Sequence, residues 1–474
     1  MREKHSLIVA VITVAALLSI LLLYASYSGR NLVSSIYSRS YPSTTPLRQN
    51  TVTEPKHIKT NDYSQVPTFT LPKQETTTKP SPGITTVPTI TLTSNHSGSL
   101  SINTSLDMAK AANSFGLRLA KKLLNGEENN VISPFSIYSA LLALYEASSG
   151  QTKEELANTL RLPRNTTAVR NAYRSLTQRL KGGKGAAIKV ANSLWLQRDL
   201  ALVRETIDRL EKYYDAEILV VDFLHSPGKA LDKINEWIKE KTKGRIKKIL
   251  SNLSRATMVL IVNTLYFNAT WITPFHEIGE KPFHVTSNKT VMAPMMSEDI
   301  YTGYYEDNLV KVVEIPYGNT DYIMLILLPK NTSLGKLLRL LDEDYLEYIR
   351  RNMIHSTISV TIPEFRAKSK YSQMLRETLK NMGLRNIFAP GKAELANLFK
   401  NYRKTSISNI VHQVFIDVNK YGTEATAATS IAVIPGSAPP KYSFYADHPF
   451  IYMIVHKSTG LVLFLGVLVN PTTE

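Results

Sequence analysis

Site chemistry needs a nucleophile, an acid–base group or a metal ligand in a suitable context. This 474-residue chain supplies the residue types but not the contexts. It contains no cysteine, which removes disulfides, thiolate nucleophiles and cysteine-bound metals. No serine falls in a Gly-x-Ser-x-Gly elbow. His276-Glu277-Ile278-Gly279-Glu280 is the nearest approach to a zinc-protease helix, but it lacks the second histidine. Gly279 would also weaken the helix that aligns two ligands. Gly182-Gly183-Lys184-Gly185 has neither the spacing nor the following hydroxyl of a phosphate-cradling loop. The reading expects no metal, no cofactor and no enzyme of a common class.

Charge gives a second clue. The formal net charge is +17, enough to draw polyanions, anionic lipid or acidic glycans to the surface. The densest run is Lys239, Lys241, Lys243, Arg245, Lys247 and Lys248. Two readings stand for it: a solvated helix face with the loop that follows, or a specific polyanion site. No specific nucleic-acid partner is expected.

Three segments in series must position whatever function the chain has. Residues 7–25 are almost wholly apolar and uncharged. A helix over that span, at about 1.5 Å per residue, comes close to the roughly 30 Å hydrocarbon core of a bilayer. A membrane anchor is expected, with a cleaved signal peptide as the alternative, since the small residues at 25–29 suit cleavage. Residues 26–105 are rich in Ser, Thr and Pro, and read as a disordered stalk. Both readings of residues 7–25 put the rest of the chain outside the cell, tethered or secreted. Glycosylation acceptor patterns at Asn95, Asn103, Asn165, Asn268 and Asn288 give weak support to export.

Residues 106–474 have the texture of a folded domain. Helical periodicity runs over Leu106–Leu124, Ser136–Ser148, Gly228–Thr242 and Gln373–Met382. Strand-like runs recur at Ala187–Leu196, Val259–Phe267, Tyr322–Leu328, Thr357–Ile362, Val411–Asn419, Phe450–His456 and Leu461–Leu468. Strands mixed irregularly with helices predict an α+β domain with a large mixed sheet.

Several stretches in this domain resemble the serpin family. They are Asn129–Ile137 with Gly150-Gln151-Thr152, Val262–Phe267 with Trp271 and Phe275, and Ile407–His412. Val418–Thr429 and Phe444–Phe450 follow, with Phe464-Leu465-Gly466 and Asn470-Pro471 closing the chain. The resemblance covers nearly the whole of residues 106–474. It implies a serpin fold with three β-sheets, about nine helices and an exposed reactive-centre loop running from about Tyr421 to Pro440. It implies no turnover of the protein's own. A serine protease cuts the loop as a substrate; the loop then inserts into the largest sheet and drags the acylated enzyme with it.

Matching positions carry implied roles. The hinge is Gly422, Thr423, Glu424, Ala425, Thr426, Ala427, Ala428 and Thr429. The shutter, a polar cluster where the sheet opens, is Ser133, Ser136, Asn263 and His412; a catalytic Ser–His pair is the alternative reading of these residues. Trp271 marks the breach, where loop entry starts. Family spacing puts the scissile bond between Gly436 and Ser437. Lys420 departs from the pattern, since an acidic residue is common there, and a salt bridge cannot form at that point in the usual sense.

The loop residues support insertion independently. Counting by twos from Thr423 gives Thr423, Ala425, Ala427, Thr429, Ile431 and Val433, all small or apolar. The alternate face begins with Glu424, its only charge. No proline interrupts before Pro435. No Lys or Arg occurs from Tyr421 to Pro440, so a subtilisin-like or elastase-like target fits better than a trypsin-like one. The expectation is a monomeric, exported, inhibitory serpin; the alternative is a non-inhibitory serpin acting as a binding or chaperone module.

Overall fold

The structure is a computed structural model, and it describes residues 104–181, 186–318, 321–400, 406–424 and 440–474. The apolar segment 7–25, the stalk up to residue 103, the acceptor patterns at Asn95 and Asn103, the hinge residues Ala425–Thr429 and the bond Gly436–Ser437 lie outside the described residues.

The described chain opens with α1 (Ser105–Leu123), β1 (Asn130–Ile132), α2 (Pro134–Ala147), α3 (Gly150–Leu160) and α4 (Thr166–Leu180). Next come β2 (Ala186–Gln197), α5 (Arg204–Tyr214), β3 (Ala216–Val221) and α6 (Pro227–Lys241). Four strands follow: β4 (Val259–Thr270), β5 (His276–Thr286), β6 (Lys289–Glu306) and β7 (Val310–Pro316). After β8 (Tyr322–Pro329) stand α7 (Leu334–Leu340), α8 (Glu343–Arg351), β9 (Ile354–Pro363), β10 (Phe365–Tyr371) and α9 (Gln373–Asn381). The chain ends with β11 (Ile407–Asn419), β12 (Gly422–Thr423), β13 (Tyr442–Tyr445), β14 (Phe450–His456) and β15 (Leu461–Leu468).

Local chemistry sets the boundaries. Thr104 caps α1 in a reciprocal box with Asp107, each side chain bonding the other's backbone N–H. The helix therefore starts just before the first expected residue. Ser133 caps α2 and Pro134 opens it, where a missing N–H costs nothing. Every residue of α2 is buried, so this helix runs through the core with no polar face.

Two hydrogen-bonded sheets account for the strands among the described residues. One has the order β1-β15-β14-β8-β7-β6-β9-β13, with β5 also on β6. The other runs β10-β11-β12-β4-β2-β3. The first sheet joins what the resemblance divides in two. The 18-residue β6 pairs with β5 and β9 along most of its length and with β7 only at its end, which makes the ladder continuous. The main core lies between this sheet, the second sheet and helices α1 and α2. A smaller core lies on the outer face of the second sheet, where Ile234, Trp237 and Ile238 of α6 cover Trp195, Val262 and Val411. No helix among the described residues is long and apolar enough to cross a membrane.

Candidate functional site at the sheet opening

The second sheet is divided along one seam. β11 and β4 are parallel neighbours, paired from Ile407–Val259 to His412–Asn263 with a one-residue irregularity between Ile407 and Asn409. Beyond that point they make no ladder pairs with each other. At their far ends β12 sits between them: Gly422 opposes Asn419 and Thr270, and Thr423 opposes Val418 and Ala269. Across this seam positions 413–417 of β11 and 264–268 of β4 make no ladder pairs with each other, although each strand stays paired on its outer edge with β10 or β2, and the gap is spanned near its inner end by Thr264 Oγ1 donating to the Gln413 carbonyl at 2.8 Å.

The first two hinge residues are held tightly. Gly422 has φ of 151°, and a Cβ there would stand 2.1 Å from the Ala269 carbonyl oxygen, so only glycine fits. Thr423 is fully buried, its hydroxyl 2.6 Å from that of Tyr317. Tyr317 stacks on Trp271 at 4.4 Å and meets Phe267 edge-on at 5.1 Å. Trp271 closes over the turn before the hinge. Its indole N–H donates to the Asn419 carbonyl at 2.8 Å and its backbone N–H to the Tyr421 carbonyl at 2.9 Å. Thr423 faces the core, while Glu424, just past the end of β12, turns its carboxylate toward Arg245.

Lys420, which cannot form the usual salt bridge, finds a different one, with the signs exchanged: Lys420 Nζ lies 2.6 Å from Glu277 Oε1 of β5. That contact raises the lysine pKa. The Lys420 backbone N–H donates to Glu364 Oε1 at 3.0 Å, a second tie across the same turn.

At the inner end of the opening the structure brings Ser133, Ser136, Asn263 and His412 together. Ser133 N–H donates to His412 Nε2 at 3.0 Å, so the neutral ring carries its proton on Nδ1 and donates it to Asn263 Oδ1 at 2.8 Å. Asn263 Nδ2 donates to the Ser136 carbonyl at 2.8 Å and to Asn192 Oδ1 of β2. Ser133 Oγ donates to the Leu463 carbonyl at 2.7 Å. All four residues are fully buried. Burial drives the His412 pKa down to about 3, which keeps the ring neutral. Neither serine hydroxyl is bonded to the imidazole, and the cluster is sealed from solvent. This geometry suits a polar lock and cannot meet a substrate.

The remaining candidates separate. In the basic run, Lys241 pairs with Glu217 at 2.5 Å and Lys243 lies over the Tyr266 ring. Arg245 reaches Glu424, while Lys239, Lys247 and Lys248 are exposed. His276 and Glu277 stand on a strand rather than a helix, with His276 bonded to Glu298. Among the described residues no group of three or more His, Asp or Glu is disposed to hold a metal. Of the acceptor asparagines, Asn288 is exposed between β5 and β6, and Asn165 caps α4. Asn268 is half-buried and donates to the Glu424 carbonyl at 2.5 Å. Sequence reasoning missed Tyr317, Asn192, Glu277 and Arg245 as parts of this region. Each acts across a long sequence separation, and no local spacing marks it.

Comparison with known proteins bears on the same region. Residues 110–471 match the family model described as "Serpin (serine protease inhibitor)". The chain is 36% identical over 372 residues to an uncharacterized serpin-like protein of Thermococcus kodakarensis, covering 77% of this chain and 86% of that one. It is 32% identical over 383 residues to leukocyte elastase inhibitor A of Rattus norvegicus, covering 77% of this chain and 100% of that one. Among solved structures, the native thermophilic serpin tengpin superposes with a TM-score of 0.70 at 24% identity, over 76% of this chain and 94% of that one.

Proposed function

Starting from the premise that the chain belongs to the serpin family, we propose that it inhibits serine-type endopeptidases by trapping them in mid-reaction. The observation that carries this reading is the seam: a hinge whose first two residues already occupy ladder positions between β11 and β4, above a stretch where the two strands make no ladder pairs with each other. Continued in the register of β12, residues 424–428 would fill that stretch, and Thr429 would arrive opposite His412 and Asn263. Beyond Thr429, entry requires the shutter contact to part. The 12 residues of β4 match the loop as far as Val433, which leaves the bond expected at Gly436–Ser437 just past the far end of the strand.

In this reading Gly422–Thr429 form the inserting hinge, and Trp271 with Tyr317 guides its entry. Ser133, Ser136, Asn263 and His412 hold the sheet closed until the loop arrives. A buried network of this kind favours discrete closed and open states over intermediates. About a dozen new ladder bonds, at roughly 0.5–1.5 kcal/mol net each, would supply on the order of 10 kcal/mol for dragging the enzyme. The inserted strand would span about 45 Å at about 3.3 Å per residue.

The reading extends to setting. Residues 7–25 would tether the inhibitor to a membrane, and residues 26–105 would hold residues 106–474 away from it, outside the cell. The exposed part of the basic run would take a polyanion. The protein would act as a monomer. Incubation with subtilisin, an elastase and trypsin, followed by denaturing gel electrophoresis, tests the central claim. Denaturation-resistant complexes with the first two are expected; clean cleavage without any complex would favour a binding or chaperone module instead.

A further inference from the structure

Glu424 is the last described hinge residue, and its surroundings serve no purpose so far assigned. It is 4% exposed and holds φ of 53°, a left-handed conformation unusual for a residue with a side chain. Its backbone N–H donates to the Asp417 carbonyl at 2.7 Å, as the next rung of a ladder would. The rung is only half made. A completed rung would return a bond from Asp417 N–H of β11 to the Glu424 carbonyl, but that carbonyl is taken by the Asn268 side chain at 2.5 Å. Its carboxylate Oε2 lies 3.4 Å from Arg245 Nε and has no well-directed hydrogen bond. Arg245 is itself placed over the Phe415 ring of β11. A space of about 10 Å³ remains beside these groups, bordered by Thr242, Thr264, Tyr266 and Phe415.

For the next residues to enter the seam, Glu424 must leave the left-handed conformation for an extended one. That turns its carbonyl away from Asn268 and its carboxylate away from Arg245. Both side chains therefore act against insertion, and both come from outside the loop.

We propose that Arg245 and Asn268 form a catch on Glu424 that holds the hinge half-seated and sets how fast the loop enters the sheet. The inference rests on the insertion reading above. Both are positioning residues, since they act through the hinge and touch no enzyme.

The charged groups facing Glu424 are Arg245 and Lys243 from the segment after α6 and Asp417 from β11. Burial, the dominant influence, lifts the Glu424 carboxyl to about 7, with Arg245 opposing. The sign follows. The seated hinge prefers the protonated acid, and a freed Glu424 titrates near the ordinary carboxylate range. The seat is therefore firmest in acid and loosens as pH rises toward 7. Arg245 steadies the ionised form and matters only where Glu424 is ionised.

The test uses the full chain and two readouts. The first is intrinsic tryptophan fluorescence of the uncut protein from pH 5 to 9, since Trp271 lies over the turn leading into the hinge. It requires no inhibition. A transition near pH 7 is expected in the wild type, and none in Glu424→Gln. The second is the rate of the fluorescence change after subtilisin cuts the loop. Arg245→Gln should insert about fivefold faster at pH 8, the size expected for a pair with one partly exposed partner, and at the wild-type rate at pH 5. Arg245→Lys should restore much of the slower rate, and Asn268→Ala should accelerate insertion at both pH values. A wild-type profile without a transition, or one retained in Glu424→Gln, overturns the catch even if complexes form. A transition lost in Glu424→Gln in a protein that traps no enzyme would keep the seat and refute the inhibitory reading alone.

Discussion

Replacing Thr423 by arginine puts the insertion reading under the most strain. Thr423 is fully buried, packed between Val418 and Ala269 with its hydroxyl against Tyr317. Tyr317 in turn contacts Phe267 and Trp271. A guanidinium sent into that aromatic floor would be a charge without a partner, at a cost of several kcal/mol. Each 1.4 kcal/mol added to the insertion barrier slows insertion tenfold. The uncut variant escapes that cost by leaving the seat, so insertion must meet it: about 4 kcal/mol would slow insertion roughly a thousandfold, while hydrolysis of the acyl bond is untouched. The cut loop would be released as product, and Thr423→Arg would become a substrate of subtilisin. Thr423→Val is the control: it keeps the shape, loses one hydrogen bond worth about 1 kcal/mol, and should still trap enzyme. Titrating a fixed amount of subtilisin with each variant gives the stoichiometry, and a thermal melt of the uncut proteins checks that both fold. Acyl complexes from Thr423→Arg at the wild-type ratio would refute the reasoning.

Other consequences are open to simpler measurements. Cleavage within residues 430–440 should raise the thermal midpoint by more than about 10 °C, because a strand of ladder bonds is gained; an unchanged or lower midpoint after clean cleavage contradicts insertion. His412, with its pKa lowered to about 3 from an ordinary value near 6.5, should make stability fall as pH drops from about 6.5 toward 3. In His412→Gln that slope should flatten, as read from unfolding midpoints across the range. Gly422→Ala should free the hinge before any enzyme acts, since its Cβ would overlap the Ala269 carbonyl, and hydrogen exchange at Val418 and Asn419 should speed up accordingly. Mass spectrometry of the fragment released from a trapped complex should show a new N-terminus within Pro435–Ala438; efficient trapping of trypsin in place of subtilisin would refute the small-residue specificity.

Much of the fold was legible because its central strands are unbroken apolar runs. β14 and β15 have the spans expected from sequence, and β4 and β11 extend them by a few residues. The elements that escaped notice lack such a signal. Almost every residue of β5 is exposed, so neither face is marked by hydrophobicity. α4 carries Arg170, Arg174 and Arg179 and is capped by Asn165, which as sequence reads equally well as a glycosylation acceptor. The shutter residues were found through the family resemblance, since nothing in Ser133 or His412 alone announces a buried network. The exchanged ion pair at Lys420 was out of reach for the same reason. Glu277 lies 143 residues away in sequence, and only the fold makes the two neighbours.

On the insertion reading, the gap between β4 and β11 would make the reactive loop a ligand tethered to its own binding site. Tethering converts binding into a unimolecular event, with an effective concentration fixed by the length of the loop. Occupancy would then be limited by access, and the His412–Asn263 contact would be the point where access is denied. Any treatment that parts this contact without cutting the loop opens the site to competition. Gentle warming should let a synthetic peptide with the sequence of residues 424–433 occupy the seam and block trapping. At high protein concentration the loop of a second molecule would compete on the same terms, so storage life should shorten as the solution is concentrated.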